Sequence, residues 1–433
     1  GRFANRPNIN NNNMFKQYLK QALNMLRENR LISLISILGT ALSIAMIMVV
    51  CLVFQIQSAS FSPETNRNRM LYIEDGTQVE CSANRRYNGF MSQEAVRECF
   101  YTLKKPEAVS AWFSFPAPLS LPGKRMYNSY DIMYSDPAFW KIYDFRFLEG
   151  KPFTDADFTS AIPRVVVSES VARTLYGSTD VVGKPIILEQ MPCTICGVVK
   201  DVSRAADTSF GDVWAPYTLN QMMLGLTQME GMGGAFKITL LAHDKGDFDA
   251  IRREIEQQRD RYNTAKQDCK ISFLENPITR FDKAMGSSGW RKIALKDYLL
   301  ETGGLLLLLL LVPALNLTGV TQSAVQKRRS EMGLRKAFGA TRGILFSQLL
   351  CENGLITLLG GVIGLVLSLL LLPVCKDFLL KDAETVLHTD MLFQPGIFLV
   401  ALLFCLLLNL LSVGIPALRI SQQPITRALK GDE

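Results

Sequence analysis

Long uncharged runs break the mixed polar pattern of this chain at four places. Leu31 to Phe54, Gly303 to Val325, Gly354 to Val374 and Gly396 to Leu418 contain no Asp, Glu, Lys, Arg or His. At about 1.5 Å rise per residue, each run matches the roughly 30 Å hydrocarbon core of a bilayer. The pattern therefore predicts four transmembrane helices: 31–54, 303–325, 348–374 with its polar lead-in, and 396–418. The first run is too long for a signal-peptide core and no small-residue cleavage site follows it, so it is expected to stay as an anchor. Residues 14–30 form the lead-in to it. Gly1 to Asn13, with its asparagine run, reads as a tag remnant or disordered leader.

Between the first two runs the periodicity changes. Strand-like segments occur at Met70 to Ile73, Val109 to Phe115, Arg164 to Val167, Pro185 to Leu188, Thr194 to Val199, Phe236 to Leu241 and Lys270 to Leu274. Helical patterns occur at Ser92 to Leu103, Ser168 to Leu175 and Asp247 to Tyr262, where Phe248, Ile251 and Ile255 recur at helical spacing. Residues 55–302 thus predict an α/β domain of two subdomains, a discontinuous one at about 60–115 plus 235–280 and a second inserted at 116–234. Gly225 to Gly234, with several methionines nearby, reads as a connector or as a loop able to meet varied partners. Gly286 to Gly289 interrupts the approach to the second span, so a helical stalk is expected over 290–302.

Charge orients the whole, because basic residues resist translocation. Lys16, Lys20, Arg27 and Arg30 precede the first span, Lys327, Arg328, Arg329, Arg335, Lys336 and Arg342 fill the 326–347 loop, and Arg419, Arg427 and Lys430 lie in the 419–433 tail. The 375–395 loop holds Lys376 and Lys381 among four acidic residues. Both termini and the 326–347 loop are expected in the cytoplasm, with 55–302 outside. The net charge of +7 is then a topology signal facing anionic membrane lipid, and nucleic acid is not an expected partner.

The chemistry that would make this chain an enzyme is missing from its motifs. The Gly-Lys pairs at 123, 150 and 183 are followed by Arg, Pro and Pro, so none builds a phosphate-cradling loop. Two histidines, His243 and His388, lie far apart in sequence, and no Gly-x-Ser-x-Gly elbow occurs. No catalytic residue and no metal site is expected. Cys193 and Cys196 have redox-motif spacing, but they lie in a strand-like run that would separate them by about 10 Å, too far to bridge. The external cysteines Cys81, Cys99, Cys193, Cys196 and Cys269 are odd in number, and spacing alone leaves their pairing open, Cys81 with Cys99 being one choice. The spans carry no central charge for a solute path. They do carry small-residue faces, Ser36, Gly39 and Ser43 in the first and Gly360, Gly364 and Ser368 in the third, suited to helix packing within the chain or to a dimer.

Several motifs resemble the MacB/FtsX-like permease family over nearly the whole length. Phe15-Lys16-Gln17 through Ile37-Leu38-Gly39 is similar to the family's lead-in helix and first span, so residues 14–30 are expected from the resemblance as a cytoplasmic amphipathic helix. Tyr134-Ser135-Asp136, Phe147 through Phe153, Val166 through Ala172 and Ile195 through Val202 resemble the MacB-type periplasmic domain. Arg328 through Ala340 resembles the family's most specific motif, and Ile415-Pro416-Ala417 with Pro424, Ala428 and Leu429 its C-terminal one. The resemblance implies a bacterial inner-membrane permease subunit working as a homodimer or as a heterodimer with a related permease. It implies a separate ABC ATPase partner that binds the ATP and Mg, this chain holding no cofactor itself. Glu331, Met332, Gly333, Leu334, Arg335, Lys336, Ala337, Gly339 and Ala340 would form the helix that docks on it. A periplasmic adaptor and an outer-membrane channel are further partners if the role is efflux; lipoprotein release and cell-wall signalling are the alternatives within the family. A membrane-anchored receptor or scaffold is the competing class, though an anchor needs only one span.

Overall fold

The structure, a computed structural model, describes residues 30–58, 60–124, 128–300, 303–304 and 342–379, with scattered positions between 396 and 407. It divides into two compact units. One carries the apolar helices, and the other contains Phe54–Tyr298.

Two long helices of the first unit are α1 (Arg30–Ser58), which covers the first uncharged run, and the last helix of the chain, Arg342–Leu379, which covers the third. Within the latter, Gly354–Leu371 is long and apolar enough to cross a membrane by length and composition, and it is the one such stretch among the described residues. The second and fourth uncharged runs lie almost entirely outside those residues. On α1 Leu31 at 72% and Leu42 at 57% exposure face outward, while Ser33, Ser36, Thr40 and Ala41 are buried together with Ile44 and Met48. The last helix repeats this, with Val362, Val366 and Leu370 exposed and Thr357 and Ser368 buried. Burying small and hydroxyl-bearing residues on one face lets helices approach closely and leaves an apolar stripe exposed on the other.

The second unit is built on strands β1 (Met70–Ile73), β2 (Thr77–Cys81), β3 (Arg85–Met91), β4 (Ala108–Ser120), β5 (Asn128–Ser135), β6 (Phe147–Gly150), β7 (Arg164–Ser168), β8 (Pro185–Leu188), β9 (Met191–Val199), β10 (Val213–Pro216), β11 (Gly233–Gly234), β12 (Lys237–Leu241), β13 (Cys269–Ser272) and β14 (Ile278–Thr279). The larger sheet runs β14-β1-β12-β4-β5-β10-β7-β9-β6, and β8 joins β9 to β4. That last pairing closes a ring of β4, β5, β10, β7, β9 and β8. Strand β4 makes the junction: its first half pairs β12 through Trp112 opposite Lys237, and its far end pairs β8 through Leu119 opposite Leu188. An open sheet and a barrel-like ring therefore share one strand, which crosses residue 116 without a break.

The smaller sheet, β11-β3-β2-β13, lies apart. Helices α2 (Gln93–Cys99) and α7 (Phe248–Thr264) supply Val96, Cys99, Ile251 and Ile255 to a core shared with Leu71, Ile73, Val79 and Ile271. Four short helices lie between them in sequence: α3 (Phe139–Ile142), α4 (Asp155–Thr159), α5 (Glu169–Tyr176) and α6 (Gln221–Leu224). Short α8 (Arg280–Ala284) follows β14, and Arg342–Leu379 is hereafter α9. A second core of Met70, Tyr72, Trp112, Phe139, Tyr143 and Trp214 covers the opposite face of the large sheet. Strand β1 is buried along its whole length, as expected where both sheet faces are covered.

The pairing that the sequence left open is resolved, and one expectation is corrected. Cys81 bonds Cys269: β2 and β13 are antiparallel and place those two residues directly opposite, while Cys99 points from α2 into the core. The stalk does not start near Trp290, since residues 295–300 are helical and 291–294 are not. Ser288 and Arg291 exchange backbone hydrogen bonds and Ser287 Oγ accepts from the Ile293 N–H, so helix formation waits until this turn is passed.

Candidate coupling site

The chain enters and leaves the second unit beside a cluster of charges. Glu64 and Arg67 form a fully buried ion pair before β1. The Glu64 carboxylate also accepts from Thr208 Oγ1 at 2.7 Å and Ser209 Oγ at 2.9 Å. Arg67 donates to the Ala205 carbonyl at 2.6 Å and stacks over the Phe61 ring. From the outgoing side, Arg280 of α8 pairs with Asp207 at 2.7 Å, and Lys283 bridges Asp207 and Glu74. Three segments remote in sequence, 61–76, 203–209 and 276–291, are thereby cross-linked by charge.

Electrostatics explains why the ions remain ionised. Burial pushes the Glu64 carboxyl up, but the guanidiniums of Arg67 and Arg280 outweigh it and hold it below the ordinary value. Burial likewise opposes ionisation of Asp207, and Lys283 and Arg280 pull it well below the usual range. The backbone adds a second tie. Leu71 and Tyr72 of β1 pair with Thr279 and Ile278 of β14, and the Gly289 N–H donates to the Asp75 carboxylate at 2.6 Å. Gly76 lies at φ +72°, and a Cβ there would fall 2.3 Å from the Gly289 carbonyl carbon. Glycine is needed at this crossing for both reasons.

Of the residues singled out from the sequence, Ser36, Gly39 and Ser43 lie on α1 and Gly360, Gly364 and Ser368 on α9. A Cβ on Gly360 would lie 2.9 Å from the Thr40 Cβ, and one on Gly364 only 2.7 Å from the Ala41 carbonyl oxygen. Thr40 Oγ1 donates to the Ser36 carbonyl and Ser368 Oγ to the Leu365 carbonyl, both at 2.7 Å, so these hydroxyls are satisfied within their own helices. Glu331, Met332, Gly333, Leu334, Arg335, Lys336, Ala337, Gly339 and Ala340 lie outside the described residues.

Cys193 and Cys196 both lie on β9, and Cys193 joins the core on one sheet face while Cys196 packs against the core on the other. Alternation along the strand keeps them apart. Burial pushes the Cys193 thiol up to about 11 and the Cys196 thiol up to about 12, far from the thiolate that redox exchange needs.

The chain thus carries an α/β unit between apolar helices, with that unit's incoming and outgoing segments cross-tied. A family model described as the MacB-like periplasmic core domain matches residues 33–258, and one described as the FtsX-like permease C-terminal region matches residues 303–425. The chain belongs to the MacB/FtsX-like ABC transporter permeases. It is 20% identical over 355 residues to YknZ of Bacillus subtilis, an uncharacterized ABC transporter permease, covering 80% of this chain and 84% of that one. It is 26% identical over 220 residues to the macrolide export ATP-binding/permease protein MacB of Neisseria gonorrhoeae, covering 51% of this chain and 32% of that one. Among solved structures, the extracellular domain of YknZ from Gram-positive bacteria covers 45% of this chain at 14% identity with a TM-score of 0.34.

The charge cluster escaped sequence reasoning. Its members are scattered among ordinary surface-type residues, and the partners Glu64 and Thr208 are 144 residues apart. The only available signal was local: Glu64 and Arg67 at helical spacing in an otherwise polar lead-in.

Proposed function

We propose that this chain transmits ATP-driven motion from a separate cytoplasmic ABC ATPase, through its four membrane helices, to the extracytoplasmic domain, driving export of an extracytoplasmic substrate without a path through the bilayer. The observation that carries this reading is the cross-tie of segments 61–76 and 276–291. Because β1 pairs β14 and the cluster of Glu64, Arg67, Asp207, Arg280 and Lys283 joins both to the 203–209 loop, the domain takes up displacement of either flanking segment as one body. Docking on the ATPase is assigned to residues 331–340, where Glu331, Arg335 and Lys336 stand among the small residues Gly333, Ala337, Gly339 and Ala340. The functional unit is a dimer of such chains in the inner membrane, with both termini cytoplasmic.

The test compares Gly339→Leu with Lys327→Gln in the full chain, purified together with its cognate ATPase. Added bulk at a docking surface costs about 1–3 kcal/mol, so Gly339→Leu should lose ATPase co-purification and altered hydrolysis while Lys327→Gln keeps both. Full retention by Gly339→Leu ends the docking assignment. In spheroplasts, Met222→Cys, at 81% exposure, should react with an impermeant thiol reagent and Ser330→Cys should not.

A further inference from the structure

Met229 holds its thioether sulfur 3.7 Å from the Cys81 Sγ, directly against the Cys81–Cys269 disulfide. This placement is built rather than incidental. Met229, Glu230 and Gly231 follow one another at φ 48°, 55° and 80°, a left-handed run that residues bearing a Cβ avoid unless their surroundings enforce it. The enforcement is visible: Gln228 and Gly233 exchange two backbone hydrogen bonds at 3.0 Å. Lys266, just before β13, donates to the Glu230 carbonyl at 3.0 Å and pairs with Glu94 at the same distance.

Asp268 also stands here, its carboxylate oxygen and the two cysteine sulfurs lying within 4.8 Å of one another. That carboxylate is already engaged by the Arg85 guanidinium at 2.8 Å and the Ser82 N–H at 3.2 Å. What remains for a ligand is three sulfurs, two from cysteine and one from methionine. Thiolate and thioether donors select soft monovalent ions such as Cu(I), whereas structural zinc asks for four ligands.

We propose that, once the Cys81–Cys269 bond is reduced, Cys81, Cys269 and Met229 bind one Cu(I) ion, which then joins β2 to β13 in place of the covalent bond. A thiol reductant supplies the two electrons. Two RS–H become RS–SR, the disulfide takes up their two protons as two S–H groups, and Cu(I) displaces thiol protons to solvent as it binds. The site is independent of the coupling role proposed above.

The experiment uses the full chain in detergent, reduced by excess thiol that is then removed anaerobically, and titrated with Cu(I) against a chromophoric Cu(I) chelator. Wild type should take up one more Cu(I) per chain than Cys81→Ser/Cys269→Ser. Met229→Leu, which keeps both cysteines and a side chain of similar volume, should bind at least about tenfold more weakly, the loss that even an outer metal partner causes. Met222→Leu on the same segment should bind like wild type. Copper should also raise the melting temperature of the reduced wild type, because it binds the folded form. Equal copper uptake by the double variant, or unchanged affinity in Met229→Leu, overturns the site. Zn(II) binding tighter than Cu(I) and lost in Asp268→Asn overturns the soft-cation assignment.

Discussion

On α1 the exposed side chains include Leu31, Leu34, Leu38 and Leu42 and the buried ones include Ser33, Ser36 and Thr40, whereas on β1 Met70, Leu71, Tyr72 and Ile73 are all buried. Both arrangements obey one rule, that apolar surface is left where apolar surroundings meet it and polar groups are satisfied where they lie. The difference is the medium. Hydrocarbon gives helices no hydrophobic drive to associate, so small residues and close approach hold α1 to α9. Water drives the burial of β1 and its neighbours, and the ions that must be buried there, Glu64 and Arg67, come as a hydrogen-bonded pair. One chain thus contains two packing regimes, and a substitution should be judged by the regime it lands in.

The largest expected effect falls in the water-exposed unit. All four tryptophans, at 112, 140, 214 and 290, lie between the first two apolar runs, so fluorescence melting reports this unit alone. The Cys81–Cys269 bond joins residues 188 apart in sequence. Its loss in the Cys269→Ser variant should cost up to about 5 kcal/mol by loop closure, read as a large fall in the fluorescence melting temperature.

Slightly smaller is Glu64→Ala, which removes the carboxylate of the buried Glu64–Arg67 pair and should cost about 3–5 kcal/mol in the same measurement. Its pH signature is specific. The folded-state carboxyls of Glu64 and Asp207 lie below their unfolded values, so their contribution is present above the ordinary carboxylate range near pH 4. It fades as pH falls through the lowered folded values. Asp207→Asn should flatten that acid limb; an unchanged limb would mean the cluster is not what acid attacks.

Leu38→Asp and Leu148→Asp contrast the two media at similar exposure, 50% and 42%. The first should cost about 3 kcal/mol of membrane insertion and deplete the chain from the membrane fraction. The second should change stability by no more than about 0.5 kcal/mol. Equal tolerance of both would erase the distinction between the units. Between these two in size falls Gly364→Leu, where overpacking against Ala41 and Ile44 should cost about 1–3 kcal/mol. It should reduce the yield of monodisperse full chain while leaving the tryptophan melting curve in place.

Local pattern made much of this legible. Met70 to Ile73 and Pro185 to Leu188 coincide with β1 and β8, and the helices expected near Ser168 and Asp247 form as α5 and α7. These segments announce themselves because burial follows a period that a single stretch of chain displays. Strands β2, β3 and β5 were not legible: Arg85, Arg86 and Asn88 on β3 are exposed polar residues held in the sheet by pairing with β2, which no local window contains. The ring closed by β8 on β4, the Cys81–Cys269 pair and the Glu64 cluster share that property. Each depends on long-range register, and register is decided by the assembled core.

Strand β1 also sets a timetable for synthesis. It leaves the membrane side first, yet its partners β12 and β14 begin at Lys237 and Ile278, so its ladder stays unfilled until most of the domain has been delivered. At about 5–20 residues per second that wait is on the order of ten to thirty seconds. During it, Met70, Leu71, Tyr72 and Ile73 form a bare apolar strand open to association with other chains. The ring of β4, β5, β10, β7, β9 and β8, by contrast, can form all of its ladders before β12 emerges.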